Sequence, residues 1–68
     1  MKIEEDIVYV IAQRNGGMTT QQIADAINSQ RLHVRKDGKP VTSSQVYAVI
    51  CRFQGMFSVV GGRIMLMI

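Results

Sequence analysis

"FSVVGGRIMLMI", residues 57–68, decides the fold class of this chain. Before the glycine pair, Phe57 and Val59 alternate with Ser58 and Val60; after it, Ile64, Leu66 and Ile68 alternate with Arg63, Met65 and Met67. A period of two is the mark of a strand, and Gly61-Gly62 suits a two-residue primed turn. The stretch predicts a β-hairpin that turns Phe57, Val59, Ile64, Leu66 and Ile68 toward a core. Everything upstream reads as helix or loop, so this hairpin is what separates a mixed fold from an all-helical one.

Working back from it, "VTSSQVYAVI" begins at Val41 and "MTTQQIADAI" at Met18, and the two share a plan. Thr19 is placed to cap the amide of Gln22 while Gln22 reaches back, with Met18 stapling to Ile23. Thr42, Gln45, Val41 and Val46 occupy the same four roles. These starts predict helices at about 19 to 29 and 42 to 53. A first helix over residues 2 to 14 follows from Ile3, Ile7, Val10 and Ile11 at helical spacing. "NGG" closes it, with Gly16 or Gly17 free to take the left-handed cap. Glu4, Glu5 and Asp6 fall in its first turn, where acids interact favourably with the helix dipole.

Between the second and third helices lie the residues "QRLHVRKDGKPV". A tight helix-turn-helix uses a turn of about three or four residues, so this connection is an insertion. Asp37-Gly38 predicts a turn within it, and Leu32 and Val34 are its expected anchors. Helix, helix, basic loop, helix, hairpin is the order of a winged helix. The expected fold is α+β, mainly α: a winged helix-turn-helix with three helices and a C-terminal β-hairpin wing, residues 1–68 forming one domain. Met18 is placed to add a short third strand.

Composition removes several functional classes. At 68 residues the chain is near the size at which one apolar core just suffices to fold. Cys51 is the lone cysteine and His33 the lone histidine, so neither an internal disulfide nor a metal site is expected. Cys51 has no His or second Cys in place to activate it, and reads as an incidental small residue. "IVYVIA" and "IMLMI" are far shorter than the ~20 residues of a spanning helix, which predicts no membrane association and a reducing, cytoplasmic setting. Paired carboxylates, a nucleophile with its base and a phosphate-cradling glycine loop are all missing. The chain therefore reads as no enzyme, with no cofactor and no small-molecule substrate.

Charge points elsewhere. Residues 1–30 carry Lys2 and Arg14 against Glu4, Glu5, Asp6 and Asp25, a balance of −2, whereas residues 31–68 carry Arg31, Arg35, Lys36, Lys39, Arg52 and Arg63 against Asp37, a balance of +5. At 100° per residue, Val46, Val49, Ile50 and Phe53 fall on the core side of the third helix. Its opposite side is Ser44, Ala48 and Cys51, with Gln45 and Arg52 on one shoulder and Tyr47 on the other. Small residues let a helix axis come close to its target, and Gln and Arg pair with adenine and guanine edges in a major groove. Arg35, Lys36 and Lys39 would flank this helix on the loop and Arg63 on the wing, where they can meet phosphates. Exposed loop cations are often merely solvated, and it is their joint placement beside one helix that favours duplex DNA. Tyr47 either stacks on a sugar or base or covers the loop.

"TTQQIADAIN", Leu32, "KDGKPVTSSQV", Phe53 and "MFSVVGGRIML" together resemble the HARE-type helix-turn-helix family, a winged-helix variant. Members occur at the ends of restriction endonucleases, in chromatin proteins and in the delta subunit of bacterial RNA polymerase. The likeness runs from Met18 to Leu66, and Asp-Gly-x-Pro-Val is its most specific element. It implies a DNA-binding adaptor in transcription regulation or DNA processing, and the polymerase subunit implies that the scaffold also serves protein partners. Relatives carry more basic residues in the third helix and last strand, where this chain has Cys51, Met65 and Met67.

Those methionines raise a second expectation. Met65 and Met67 fall opposite Ile64, Leu66 and Ile68, which makes the last strand apolar on both faces, and Val60 extends the patch. Such a strand is either covered or sticky. It predicts a protein interface at Val60, Met65 and Met67, with a second copy or another partner, which lysines at 65 and 67 would abolish without unfolding the domain.

Overall fold

The computed structural model describes residues 3–14, 17–33 and 37–67. Three helices, α1 (Ile3–Arg14), α2 (Thr20–Gln30) and α3 (Ser43–Arg52), are followed by strands β1 (Phe57–Val60) and β2 (Arg63–Leu66). The architecture is the expected one, mainly helical α+β with a winged-helix-like order. It measures 31 × 22 × 20 Å along its principal axes.

Each helix turns its periodic apolar residues inward. Ile7, Val10 and Ile11 from α1, Ile23, Ala24 and Ile27 from α2, and Val46, Val49 and Ile50 from α3 are buried in one core with Met18, Val41, Phe57 and Ile64. Ile3, Leu32, Phe53 and Leu66 pack half-buried at its margin. Met18, Ile23, Val41 and Val46, the four residues assigned to the two staples, all lie in that core.

β1 and β2 pair antiparallel with Val60 opposite Arg63, Val59 opposite Ile64, Ser58 opposite Met65 and Phe57 opposite Leu66. Gly61 and Gly62 make the two-residue turn with φ of 57° and 80°, both in the left-handed region that glycine enters without steric cost. A short third strand is present only as a single bridge: Met18 N–H donates to the Ile64 carbonyl at 3.1 Å and Ile64 N–H to the Met18 carbonyl at 2.7 Å. β2 is thus the middle of the sheet and β1 its open edge.

Val59 corrects the sequence reading. It shares a face with the buried Ile64, yet it is 54% exposed. Alternation assigns a face, but the core ends before reaching the hairpin tip, so Val59 overhangs it. The expectation for Ile68 on that face, like the left-handed cap at Gly16, lies outside the described residues. At Gly17 the structure shows a close approach instead: a Cβ there would stand 2.9 Å from the Arg63 Cβ and 3.3 Å from the Met65 Cγ. The backbone entering α2 is pressed against β2, and any side chain would push the wing away.

Candidate nucleic-acid interface

Thr42 caps α3 as its extended backbone requires, its Oγ1 accepting from Gln45 N–H at 3.2 Å. With Val46, Val49 and Ile50 held in the core, Ser44, Tyr47, Ala48, Cys51 and Arg52 all face outward and are exposed. Among the described residues, none of the Ser44, Tyr47, Cys51 and Arg52 side chains has a partner within the domain. Tyr47 is 56% exposed.

Gln45 departs from its expected place. The reciprocal bond that would complete the capping box is absent, and Gln45 is half-buried, its Oε1 shielded from solvent without a hydrogen-bond partner among the described residues. Gln22 in α2 does close its box: its Oε1 accepts from Thr19 N–H at 3.0 Å while Thr19 Oγ1 accepts from Gln22 N–H at 3.1 Å. Gln45 therefore turns its carbonyl oxygen inward, and its reach as a base reader is less than its helical angle suggests.

The approach to α3 is built by the insertion. Asp37 and Gly38 turn the chain, with Gly38 at φ 75° and Asp37 Oδ1 accepting from Lys39 N–H at 3.0 Å, an Asx-type turn. Lys39 is exposed. Arg35, Lys36 and the anchor expected at Val34 lie outside the described residues. Two residues after Lys39, the chain is clamped. Asn28 Nδ2 donates to the Val41 carbonyl at 2.9 Å, and its Oδ1 accepts from Val41 N–H at 2.8 Å. One side-chain amide thus satisfies both backbone groups of Val41, which sets the start of α3 against the last turn of α2.

At the wing, Arg63 is exposed, but it is not idle: its Nη1 donates to the Gly17 carbonyl at 3.1 Å. The contact ties β2 to the connection ahead of α2 and leaves the rest of the guanidinium facing solvent. Val60, Met65 and Met67 are 59%, 43% and 60% exposed, and all three lie on the sheet face opposite Ile64.

One polar pair went unread in the sequence. Asp6, the last of the acidic triplet, is fully buried, while Glu5 beside it is exposed. His33 Nδ1 lies 3.4 Å from Asp6 Oδ2, and neither carboxylate oxygen has a hydrogen bond among the described residues. Burial pushes the Asp6 carboxyl above its ordinary range, against the attraction of His33, which pulls it down. The pair links α1 to the start of the basic insertion. Helical spacing puts Asp6, three residues after Ile3 and four before Val10, at the border of the apolar face and Glu5 on the far side, but it does not show that His33 will cover Asp6.

Among the described residues there is no group of three His, Cys, Asp or Glu able to hold a metal, and no helix long and apolar enough to cross a membrane. No family model, curated protein or solved structure matches the chain.

Proposed function

We propose that the domain binds duplex DNA as a transcription-related or DNA-processing adaptor, with α3 in the major groove and the basic loop and wing on the phosphates. The observation that carries this reading is the contrast within α3. One side is locked in the core, and the other presents a small centre, Ser44, Ala48 and Cys51, between Tyr47 and Arg52, none of it engaged by another described residue. Ala48 and Cys51 allow close approach, Arg52 can read guanine, and Tyr47 can stack on sugar or base. Lys39 and Arg63 contact phosphates, joined by Arg35 and Lys36 from the same loop. The resemblance to the HARE-type family supports the same assignment.

Fluorescence anisotropy of a labelled mixed-sequence duplex, measured over a range of salt, tests it. Binding should weaken steeply as salt rises, and removing one phosphate-contacting cation, Lys39→Ala, should lower the log–log salt slope by about 0.9. Binding that is absent at low salt, or indifferent to salt, would overturn the reading.

A second reading, a protein-interaction module, is favoured by a separate observation: Val60, Met65 and Met67 leave an apolar strip open on the outer face of the hairpin. In that case the hairpin meets a protein and α3 plays a supporting part.

A further inference from the structure

The open edge of the sheet carries more information than its apolar face. Ile64 gives both its N–H and its carbonyl to Met18, on the far side of β2 from β1. Its cross-strand neighbour Val59 is therefore at a non-hydrogen-bonded position of the hairpin, and the N–H and carbonyl of Val59 point away from β2, off the edge of the sheet. The bond from Met67 N–H to the Met56 carbonyl at 3.0 Å fixes the same phase from the other end of the ladder. No described residue takes up these two groups of Val59.

Exposed edges are ordinarily blunted by a lysine, a proline or a bulge. β1 reads Phe-Ser-Val-Val, has none of these, and pairs with β2 in unbroken register. Around the outward groups of Val59 the surface is apolar on both faces, with Val59 itself on one and Val60 and Met65 on the other. Arg63 is the one charge in residues 57–67, and it stands on β2, a strand away from the edge.

We infer that β1 pairs edge to edge with β1 of a second copy of this chain, antiparallel about a two-fold axis at Val59. The inference is independent of DNA binding; it rests on the protein-contact reading and names both its partner and its seam. A second copy fits because the edge is self-complementary. Under a two-fold axis, Val59 of each copy faces the other, each N–H meeting the other's carbonyl, and the valines pack together on a seam without charge. The four-residue strand makes a short seam at the small end of interface sizes, so the dimer is reversible and depends on concentration.

The seam predicts an asymmetric response to substitution. Val59→Pro removes one N–H that bonds to no described residue of the protomer, a change that an edge position tolerates. Sedimentation equilibrium from micromolar to millimolar concentration should show a monomer–dimer equilibrium for the natural chain. Val59→Pro should be monomeric throughout, with its circular dichroism unchanged. In the natural chain the Val59 amide should exchange with solvent more slowly as concentration rises, and this measurement decides the matter should the proline variant fail to fold. A chain that stays monomeric, with Val59 exchange independent of concentration, overturns the inference. A dimer that survives Val59→Pro but is lost in the Met65→Lys, Met67→Lys double variant also overturns it, while leaving the protein-contact reading in place.

Discussion

α2 and α3 start from nearly the same sequence plan and are used in opposite ways. α2 ties its polar side chains to partners within the molecule, most of them at the surface. Gln22 closes the capping box, Gln21 donates to Asp25 at 2.9 Å, Gln30 donates to Gln13 of α1 at 3.0 Å, and Asn28 clamps Val41. α3 has one side-chain cap at its start and, among the described residues, leaves its outer face without internal partners. A helix that stabilises the domain and a helix available to something else are told apart by where their polar groups go, not by their caps or apolar stripes.

Substitutions test this contrast. The largest effect is expected at Asn28→Ala, which leaves the part-buried N–H and carbonyl of Val41 unpaired and should cost about 2–4 kcal/mol in urea unfolding. The matching change on the outer face of α3, Arg52→Ala, should move stability by no more than about 0.5 kcal/mol in the same experiment. Equal losses at the two sites would erase the distinction between the helices.

Next come the helix ends. Thr19→Ala and Thr42→Ala should each cost about 1 kcal/mol, because both threonines cap in the same way. The glutamines separate the two starts: Gln22→Ala should destabilise further, whereas Gln45→Ala, which removes a shielded oxygen with no partner among the described residues, should be neutral or stabilising. At the other end of α2, Arg31 holds φ 53° as its N–H donates to the Asn28 carbonyl at 3.3 Å and Leu32 N–H to the Ile27 carbonyl at 3.0 Å, a Schellman closure. Arg31→Gly relieves that left-handed residue and should raise stability by up to about 1 kcal/mol, read as a thermal shift.

A last prediction is read as a slope rather than a size. Because burial raises the Asp6 carboxyl above 3.8, its contribution to stability is full below that pH and is lost as pH rises through its folded-state value. The stability of Asp6→Asn relative to the natural chain should therefore increase as pH is raised from about 4. A difference that stays flat with pH would mean that Asp6 ionises in the folded protein as freely as in the unfolded one.

The features legible in the sequence are the local ones. Both threonine caps, the Asp37-Gly38 turn, the glycine hairpin and the apolar faces of all three helices depend on neighbours within a few residues, and the structure contains each of them. What the sequence hid depends on residues far apart in the chain. Asn28 looks like any polar residue in a last helical turn until Val41 is brought beside it. Asp6 borders the apolar face of α1 by its spacing from Ile3 and Val10, but that spacing does not say that His33 is brought over it. Val59 follows the alternation faithfully, but alternation does not say how far the core extends. Gln45 sits at the spacing of a capping box, and that spacing permits the bond without requiring it.

The same boundary runs through the candidate interface. The outward direction of Ser44, Tyr47, Ala48, Cys51 and Arg52 follows from helical angle alone, whereas the contact of Arg63 with Gly17 joins residues from opposite ends of the fold. On the proposed function, Arg63→Ala should therefore affect both wing placement and DNA binding, and Arg52→Ala DNA binding alone.

On the proposed function, the outer face of α3, and not that of α2, meets the nucleic acid. An amide chemical-shift titration of the isotopically labelled domain with a mixed-sequence duplex, at low and at physiological salt, tests it most directly. Shifts are expected along residues 43–52, at Lys39 and at the Gly61-Gly62 turn, fading steeply with salt, while the outer face of α2 stays still. Shifts centred on α2, or none at low salt, would contradict it.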